Sequence, residues 1–473
     1  MSFWLAENIK TVLGGTWLSR GTFSGDLAGI STDSRAVKPR QVFLALRGEN
    51  TDGHKYLAQA AANGAGLLIV DDAGAAATIN GPWVLQVAET GAALLALAAA
   101  YRRTLTGTRV IAVGGSNGKT TTVKLIHQML STRLRGTASI KSFNNAVGVP
   151  LTVLSAKPTD QYLVCEVGTN APGEIAPLTA VVEPDIAVLT SIGREHLEGL
   201  GSLEGVVQEE ASLLAGLRPS GVAILNADSP ELVDAATPLI AAPRSVITFG
   251  WHEHSNLRMM NCDQSFDGLR FSLNDRTSYH LPLLGAHNAS NAAGAIAVAR
   301  QFGLDHAAIA EGLAHAKGPE MRLERAIAGG VSVINDAYNA NPDSVLAALD
   351  TFTEVARGGG YKRKVLVLGD MLELGEHGPD LHREVGEAAA KVGADLVVLV
   401  GTLSLFTGER LSKHQPRIEL ATFVNLSDGR DAEVAALLAP GDLVLLKASR
   451  GMALERVLKA LQLLTPQTTA GLI

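Results

Sequence analysis

At 473 residues the chain is too long for one hydrophobic core, so two to four domains are expected. Hydrophobic residues make up 47% and charged residues 18%, which excludes a disordered or low-complexity protein. The net charge of −7 argues against nonspecific nucleic-acid binding, which needs a basic face, but leaves room for a local phosphate pocket.

In chain order, residues 1–10 lack the basic-then-apolar pattern of a signal peptide. The apolar runs Val42-Phe43-Leu44-Ala45-Leu46 and Leu67-Leu68-Ile69-Val70 predict strands, residues 56–62 predict a helix, and Gly81-Pro82 marks a turn near the end of this first segment. An alanine-rich helix is expected over 90–103. Its most apolar part, 92–101, is about half of the roughly 20 residues that span a bilayer, so the chain is expected to be cytoplasmic.

From Arg109 the pattern becomes strand, loop, helix. Apolar strands are predicted at 110–113, 163–167, 186–189 and 222–225, with helices at 120–130 and 287–302. Cys165 lies within one of these strands and reads as a buried thiol; with Cys262 it cannot form a disulfide framework, and a reducing compartment fits. From about Gly318 come further apolar strands at 331–334, 365–368, 396–400 and 443–446. Fully apolar strands separated by helices indicate parallel sheets covered on both faces. The expected fold is α/β in three domains: a small α/β N-terminal domain (1–87), a central P-loop ATPase-type parallel-sheet domain (88–317, with 88–106 as linking helix), and a Rossmann-like C-terminal domain (318–473).

The strand at 110–113 runs into Gly114-Gly115-Ser116-Asn117-Gly118-Lys119-Thr120-Thr121 and then a helix. Glycines there let backbone N–H groups converge on an anion, and the helix N-terminus adds positive potential. Lys119 can reach β- and γ-phosphates and the Thr120 hydroxyl can ligate Mg²⁺. Val113 stands where the common motif has its first glycine, so this is a shortened form of the loop. Nucleotide binding follows from it, but kinases, switches and ligases all use such loops. Ligands of a parallel sheet bind beyond the carboxyl ends of its strands. Glu166 lies at one such end, where an apolar strand makes a carboxylate costly unless it is paired or holds a metal. His196 follows another. Lys-Thr, Glu and His on three strand ends read together as one Mg·ATP site.

These residues, with Thr32-Asp33-Ser34-Arg35, the stretch 48–54, Asn144-Asn145, 166–175, 196–201, 285–293, 336–344, 369–375 and 447–451, resemble the Mur ligases, which form amide bonds on the peptidoglycan precursor. The resemblance spans nearly the whole chain. It implies a monomeric ligase that uses ATP and Mg²⁺ to join D-Ala-D-Ala to UDP-MurNAc-tripeptide through an acyl phosphate. Thr32, Ser34, Arg35, Asp52 and His54 would hold the UDP end of the sugar-peptide, and Asn145 and Thr169 its remainder. Gly115, Ser116, Asn117, Gly118, Lys119, Thr120 and Thr121 would hold phosphates, and His287, Asn288 and Asn291 the adenine. Arg322 and Asp336 would close over ATP, while Tyr338, Asn339, Asn341, Ser344, Ser449 and Arg450 would receive the dipeptide. Ser344 and Ser449 are equally suited to helix capping or turns. Many Mur ligases carry a carbamylated lysine that helps place a second Mg²⁺. Glu210 stands at that position here, and is expected to supply the carboxylate without CO₂, alongside Thr120, Glu166 and His196 as metal ligands.

Overall fold

The computed structural model describes residues 2–21, 23–48, 51–140, 142–240, 244–265 and 268–464. Glu49 and Asn50, within the 48–54 stretch, lie outside the described residues. The chain is a multi-domain α/β protein built on three sheets. The first has five strands in the order Thr16–Ser19, Trp83–Gln86, Leu67–Val70, Val42–Leu44, Ile30–Ser31, all parallel except the first. Leu67–Val70 is buried along its whole length, as a strand covered on both faces must be. The strand predicted at 42–46 stops at Leu44, and Leu46 N–H turns back to the Leu44 carbonyl. The helix predicted at 56–62 is a 3₁₀ turn, Gly53–Tyr56, followed by an α-helix, Leu57–Ala62.

The second sheet has nine strands. From one edge they run Gly136–Ala138, Tyr162–Glu166, Arg109–Gly114, Ile186–Leu189, Val222–Asn226, Ser245–Gly250 and Leu257–Ser265, all parallel. Gly268–Leu273 and Ser278–Leu281 then add antiparallel hairpins. Arg109–Gly114 thus lies between Tyr162–Glu166 and Ile186–Leu189, so the loops that leave all three strands converge at one edge. The apolar-run criterion does not reach the hairpins, because Leu257–Ser265 buries few of its residues and alternates polar with apolar side chains. The third sheet follows the order Glu324–Ala328, Val331–Asp336, Asp442–Lys447, Arg363–Gly369, Leu396–Val400, Glu419–Phe423, parallel but for the first strand. Among the described residues no helix is long and apolar enough to cross a membrane. Cys165 is a buried free thiol.

The helix Thr90–Thr104 joins the first two sheets. Glu89 caps it, accepting from the N–H groups of Gly91 and Ala92 at 2.6 and 2.5 Å, and Ala93, Leu94, Leu97 and Ala98 enter the core. Arg102, near its end, is 1% exposed. Its guanidinium donates to the carbonyls of Val182 (2.8 Å) and Glu183 (2.9 Å), at the end of helix Ile175–Val182, and to Asp185 (3.2 Å). Burial holds its pKa below the ordinary arginine value, so these acceptors are what keep the charge tolerable. Replacing Arg102 by Met is expected to cost about 3 kcal/mol, because carbonyls and a carboxylate lose their donor together. Urea unfolding followed by circular dichroism should show that loss, with the exposed neighbour Arg103→Met changing stability by less than about 0.5 kcal/mol.

Candidate active site

Gly114 ends the strand Arg109–Gly114, and the loop that follows requires glycine at two further points. Gly115 and Gly118 have φ of +113° and +89°. A Cβ on Gly115 would come within 2.4 Å of Thr190 Oγ1, and one on Gly118 within 2.3 Å of Asn291 Oδ1. Ser116 N–H donates to the Ser191 carbonyl (2.7 Å), and Thr190 Oγ1 donates to the Asn117 carbonyl (2.6 Å), which staples the loop to the neighbouring strand end. The helix Lys119–Leu130 begins with no side-chain cap, which leaves its first turn suited to an anion.

Three carboxylates surround the Lys119 ammonium. It pairs with Glu195 Oε1 at 3.3 Å and donates to the carbonyls of Gly115 and Ser116 in its own loop. Burial opposes the charge, but Glu195, Glu210 and Glu166 outweigh it and hold the lysine pKa above its ordinary value. One ammonium cannot serve three buried carboxylates. Burial accordingly raises the pKa of Glu166 and Glu210, and that of Glu195 to about 7, against the pull of Lys119.

A cavity of about 670 Å³ opens over this group, walled by the second sheet on one side and the third on the other. Ser116, Asn117, Gly118, Lys119, Thr120, Thr121, Glu166, His196, His287, Asn288, Asn291, Arg322, Asp336, Tyr338, Asn339, Asn341 and Ser344 all line it. Sequence positions more than 200 apart therefore meet at one place. Arg322 lies over the Tyr338 ring at 4.5 Å, and Asp336 pairs with the buried Lys447 at 2.7 Å. Asn341 and Ser344 form a capping box on helix Pro342–Arg357, and Asn341 Nδ2 also reaches Asn117 Oδ1 at 3.2 Å.

Other expected residues lie off this wall. Gly115 is packed beneath the loop, its N–H donating to Glu210 Oε2 at 2.6 Å, and Glu210 is fully buried there. Asn145 is exposed and caps the turn into Gly148–Ser155, Thr169 bonds to the Ala171 carbonyl, and Ser449 bridges Leu372 N–H and the Ala340 carbonyl. Arg450 pairs with Glu455. In the N-terminal sheet region, Ser34 donates to Gln59, Arg35 pairs with Asp33, and buried His54 sits between Asp52 (2.7 Å) and Asp71 N–H (3.2 Å); half-buried Thr32 follows Ile30–Ser31.

The structure also brings in residues outside the quoted motifs, Glu195, Arg194, Asn226, Asp228 and Trp251, and two inside them to which no role was assigned, Asn144 and Lys447. Arg194 bridges the second and third sheets' regions, taking Asp343 at 2.7 Å and Glu384 at 2.8 Å, and His196 pairs with Glu373 at 2.8 Å. Charged loop residues are usually solvated, so only Glu195's place beside His196 hinted at a role. Among the described residues no group of three histidine, cysteine or acidic side chains is arranged to hold a metal ion. The donor chemistry still suits one hard cation. Thr120 and Glu166 share the wall, and Glu166 Oε2 is buried without a hydrogen-bond partner among the described residues.

The chain matches three family models: "Mur ligase family, catalytic domain" over residues 26–105, "Mur ligase middle domain" over 113–299, and "Mur ligase, glutamate ligase domain" over 321–450. It is 38% identical to the UDP-N-acetylmuramoyl-tripeptide–D-alanyl-D-alanine ligase of Bacillus subtilis, across 96% of this chain and 97% of that one. The chain belongs to the Mur ligase family. A ligase of the same description from Escherichia coli is 34% identical over 92% of this chain and 94% of its own. Among solved Mur ligases, MurF from Acinetobacter baumannii superposes with a TM-score of 0.85 at 29% identity, covering 97% of this chain and 98% of that one. MurF from Thermotoga maritima in complex with ADP gives 0.77 at 25% identity, covering 92% and 97%.

Adding a Cβ at Gly118 forces either Asn291 or the loop to move. Gly118→Ala is expected to weaken ADP binding about 100-fold, equivalent to about 2.7 kcal/mol, while the thermal midpoint changes little. Calorimetric titration alongside thermal unfolding checks both parts.

Proposed function

We propose that the cavity binds Mg·ATP and that the chain joins D-Ala-D-Ala to UDP-MurNAc-tripeptide in cytoplasmic peptidoglycan precursor synthesis. The observation that carries this reading is the Lys119 ammonium at the end of a glycine loop and the head of a helix, lining one cavity together with Glu166 and His196. The relatives that match nearly end to end bear that activity in their names, and one solved relative holds ADP. Three domains, 1–87, 88–317 and 318–473, are proposed for the chain; each of the three sheets falls within one of these spans, which supports the division. The central one is assigned as P-loop ATPase-type and the last as Rossmann-like.

In the proposed reaction the tripeptide carboxylate attacks the γ-phosphorus of ATP and ADP leaves. The amine of D-Ala-D-Ala then attacks the acyl carbon, losing a proton as phosphate departs. A carboxylate and a triphosphate repel each other, so the site has to supply positive charge at the transferring group. Lys119 supplies one such charge, and Arg322 on the opposite wall supplies another. Thr120, Glu166 and His196 would hold Mg²⁺, which when bound neutralises charge on the β- and γ-phosphates. An acyl phosphate would be hydrolysed by water, and the ion pairs from Arg194 and His196 to Asp343, Glu384 and Glu373 would help hold the third sheet's region over the cavity during the reaction. The N-terminal residues Thr32, Ser34, Arg35, Asp52 and His54, with Asn145 and Thr169, are assigned to the sugar-peptide, and Tyr338, Asn339, Asn341, Ser344, Ser449 and Arg450 to the dipeptide.

Phosphate release should require ATP, Mg²⁺, UDP-MurNAc-tripeptide and D-Ala-D-Ala together. Turnover without D-Ala-D-Ala would contradict the proposal, and a phosphorylated product with no amine requirement would indicate a kinase. Lys119→Met is expected to lower kcat at least about 1,000-fold. For Glu210 we propose that Oε1, buried and unpartnered among the described residues, serves a second cation while Oε2 keeps Gly115 in place. Glu210→Gln retains an acceptor for Gly115, so the fold should survive while the Mg²⁺ needed for half-maximal rate rises about tenfold. Activity should be indifferent to removal of CO₂. An unchanged Mg²⁺ requirement in the variant would remove Glu210 from the cation site.

A further inference from the structure

We infer that Trp251 is the stacking face for the nucleobase and sets how tightly the purine end of the nucleotide is held. The inference rests on the reading of the cavity as an ATP site. Of the four tryptophans in the chain, Trp251 is the one that lines the cavity, and it is 41% exposed. Trp17 and Trp83 pack on each other in the first sheet, and Trp4 packs on Tyr101.

The backbone beneath Trp251 is built to hold it there. Gly250 has a φ of +136°, and a Cβ at that position would come within 2.6 Å of Asp228 Oδ2. Asp228 Oδ1 accepts from the N–H groups of Trp251 at 2.7 Å and His252 at 2.9 Å. A carboxylate therefore fixes the chain just past the strand Ser245–Gly250, while the indole stays open to the cavity.

Its position matches the base end of a nucleotide whose phosphates sit on the glycine loop. Three strand intervals separate Ser245–Gly250 from Arg109–Gly114, which at ~4.8 Å each is about 14 Å. The helix Ala286–Gln301 packs over the same strand. A Cβ on its Gly294 would meet the Phe249 ring at 2.9 Å, and the turns N-terminal to Gly294 line the same cavity as Trp251. Those turns carry His287, Ser290 and Asn291, all of which line the cavity. Ser290 Oγ is buried, lines the cavity and has no hydrogen-bond partner among the described residues. An open aromatic face next to an unmet hydroxyl suits a flat heteroaromatic ring with polar edges.

The test is titration of the full chain with Mg·ADP, followed by calorimetry and by tryptophan emission, with Mg·tripolyphosphate as the ligand that lacks a base. ADP should quench wild-type emission. Trp251→Phe should keep ADP affinity within about 3-fold but lose the quench, and Trp251→Ala should weaken ADP roughly 10- to 100-fold while leaving tripolyphosphate unchanged. A quench that survives in Trp251→Phe, wild-type ADP affinity in Trp251→Ala, or an equal loss for tripolyphosphate would each overturn the inference. Wild-type protein that binds tripolyphosphate but not ADP would also overturn it, whereas failure to bind either ligand would bring down the ATP reading itself. Circular dichroism of both variants shows whether they fold.

Discussion

A lysine ammonium buried among carboxylates is the constraint around which the cavity is arranged. Lys119 stands at the start of a helix, where the peptide dipoles already disfavour a cation, and it is kept charged by Glu195, Glu210 and Glu166. These three cannot all be ionised at low cost around one positive group: burial first, and then the charge of Glu210, push Glu195 up to about 7 against the pull of Lys119. The strain has a purpose in a site that must draw in a polyanion. Lys119 is held by contacts that a triphosphate can replace, and the carboxylates left behind are the groups that a divalent cation can satisfy.

Three consecutive residues link that charge to the rest of the molecule. Arg194 clamps Asp343 and Glu384, Glu195 holds Lys119, and His196, itself at a φ of +50°, pairs with Glu373 at +63°. A non-glycine residue at positive φ costs energy that the surrounding structure must offset, and these two left-handed residues are joined by their side chains. The segment therefore couples the phosphate loop to the third sheet's region, and the walls of the cavity are brought together by the same stretch of chain that positions its lysine.

Much of the fold was legible because parallel strands buried on both faces leave continuous apolar runs, as at Leu67–Val70, Ile186–Leu189 and Leu396–Val400. The hairpins from Leu257 to Leu281 were not, because a strand with one open face alternates rather than runs. The glycine loop, Glu166 and His196 could be read from motif and strand-end position. Glu195 could not, since nothing in a loop of charged residues says which one turns inward. Trp251 escapes a sequence reading for a related reason: its role follows from the strand order, which places its strand three intervals from the phosphate loop, and strand order is a property of the folded sheet. Ser449 shows a motif residue that also serves local structure, through its bonds to Leu372 and Ala340.

The fate of the substrate's own oxygen decides whether an acyl phosphate forms over Lys119. UDP-MurNAc-tripeptide labelled with oxygen-18 in its terminal carboxylate would be turned over with ATP, Mg²⁺ and D-Ala-D-Ala, and the released phosphate examined by phosphorus NMR. If the cavity phosphorylates the carboxylate before the amine attacks, the label appears in the inorganic phosphate. Unlabelled phosphate alongside a formed amide would contradict an acyl-phosphate route, and with it the role of Lys119 in stabilising the transferring phosphoryl group.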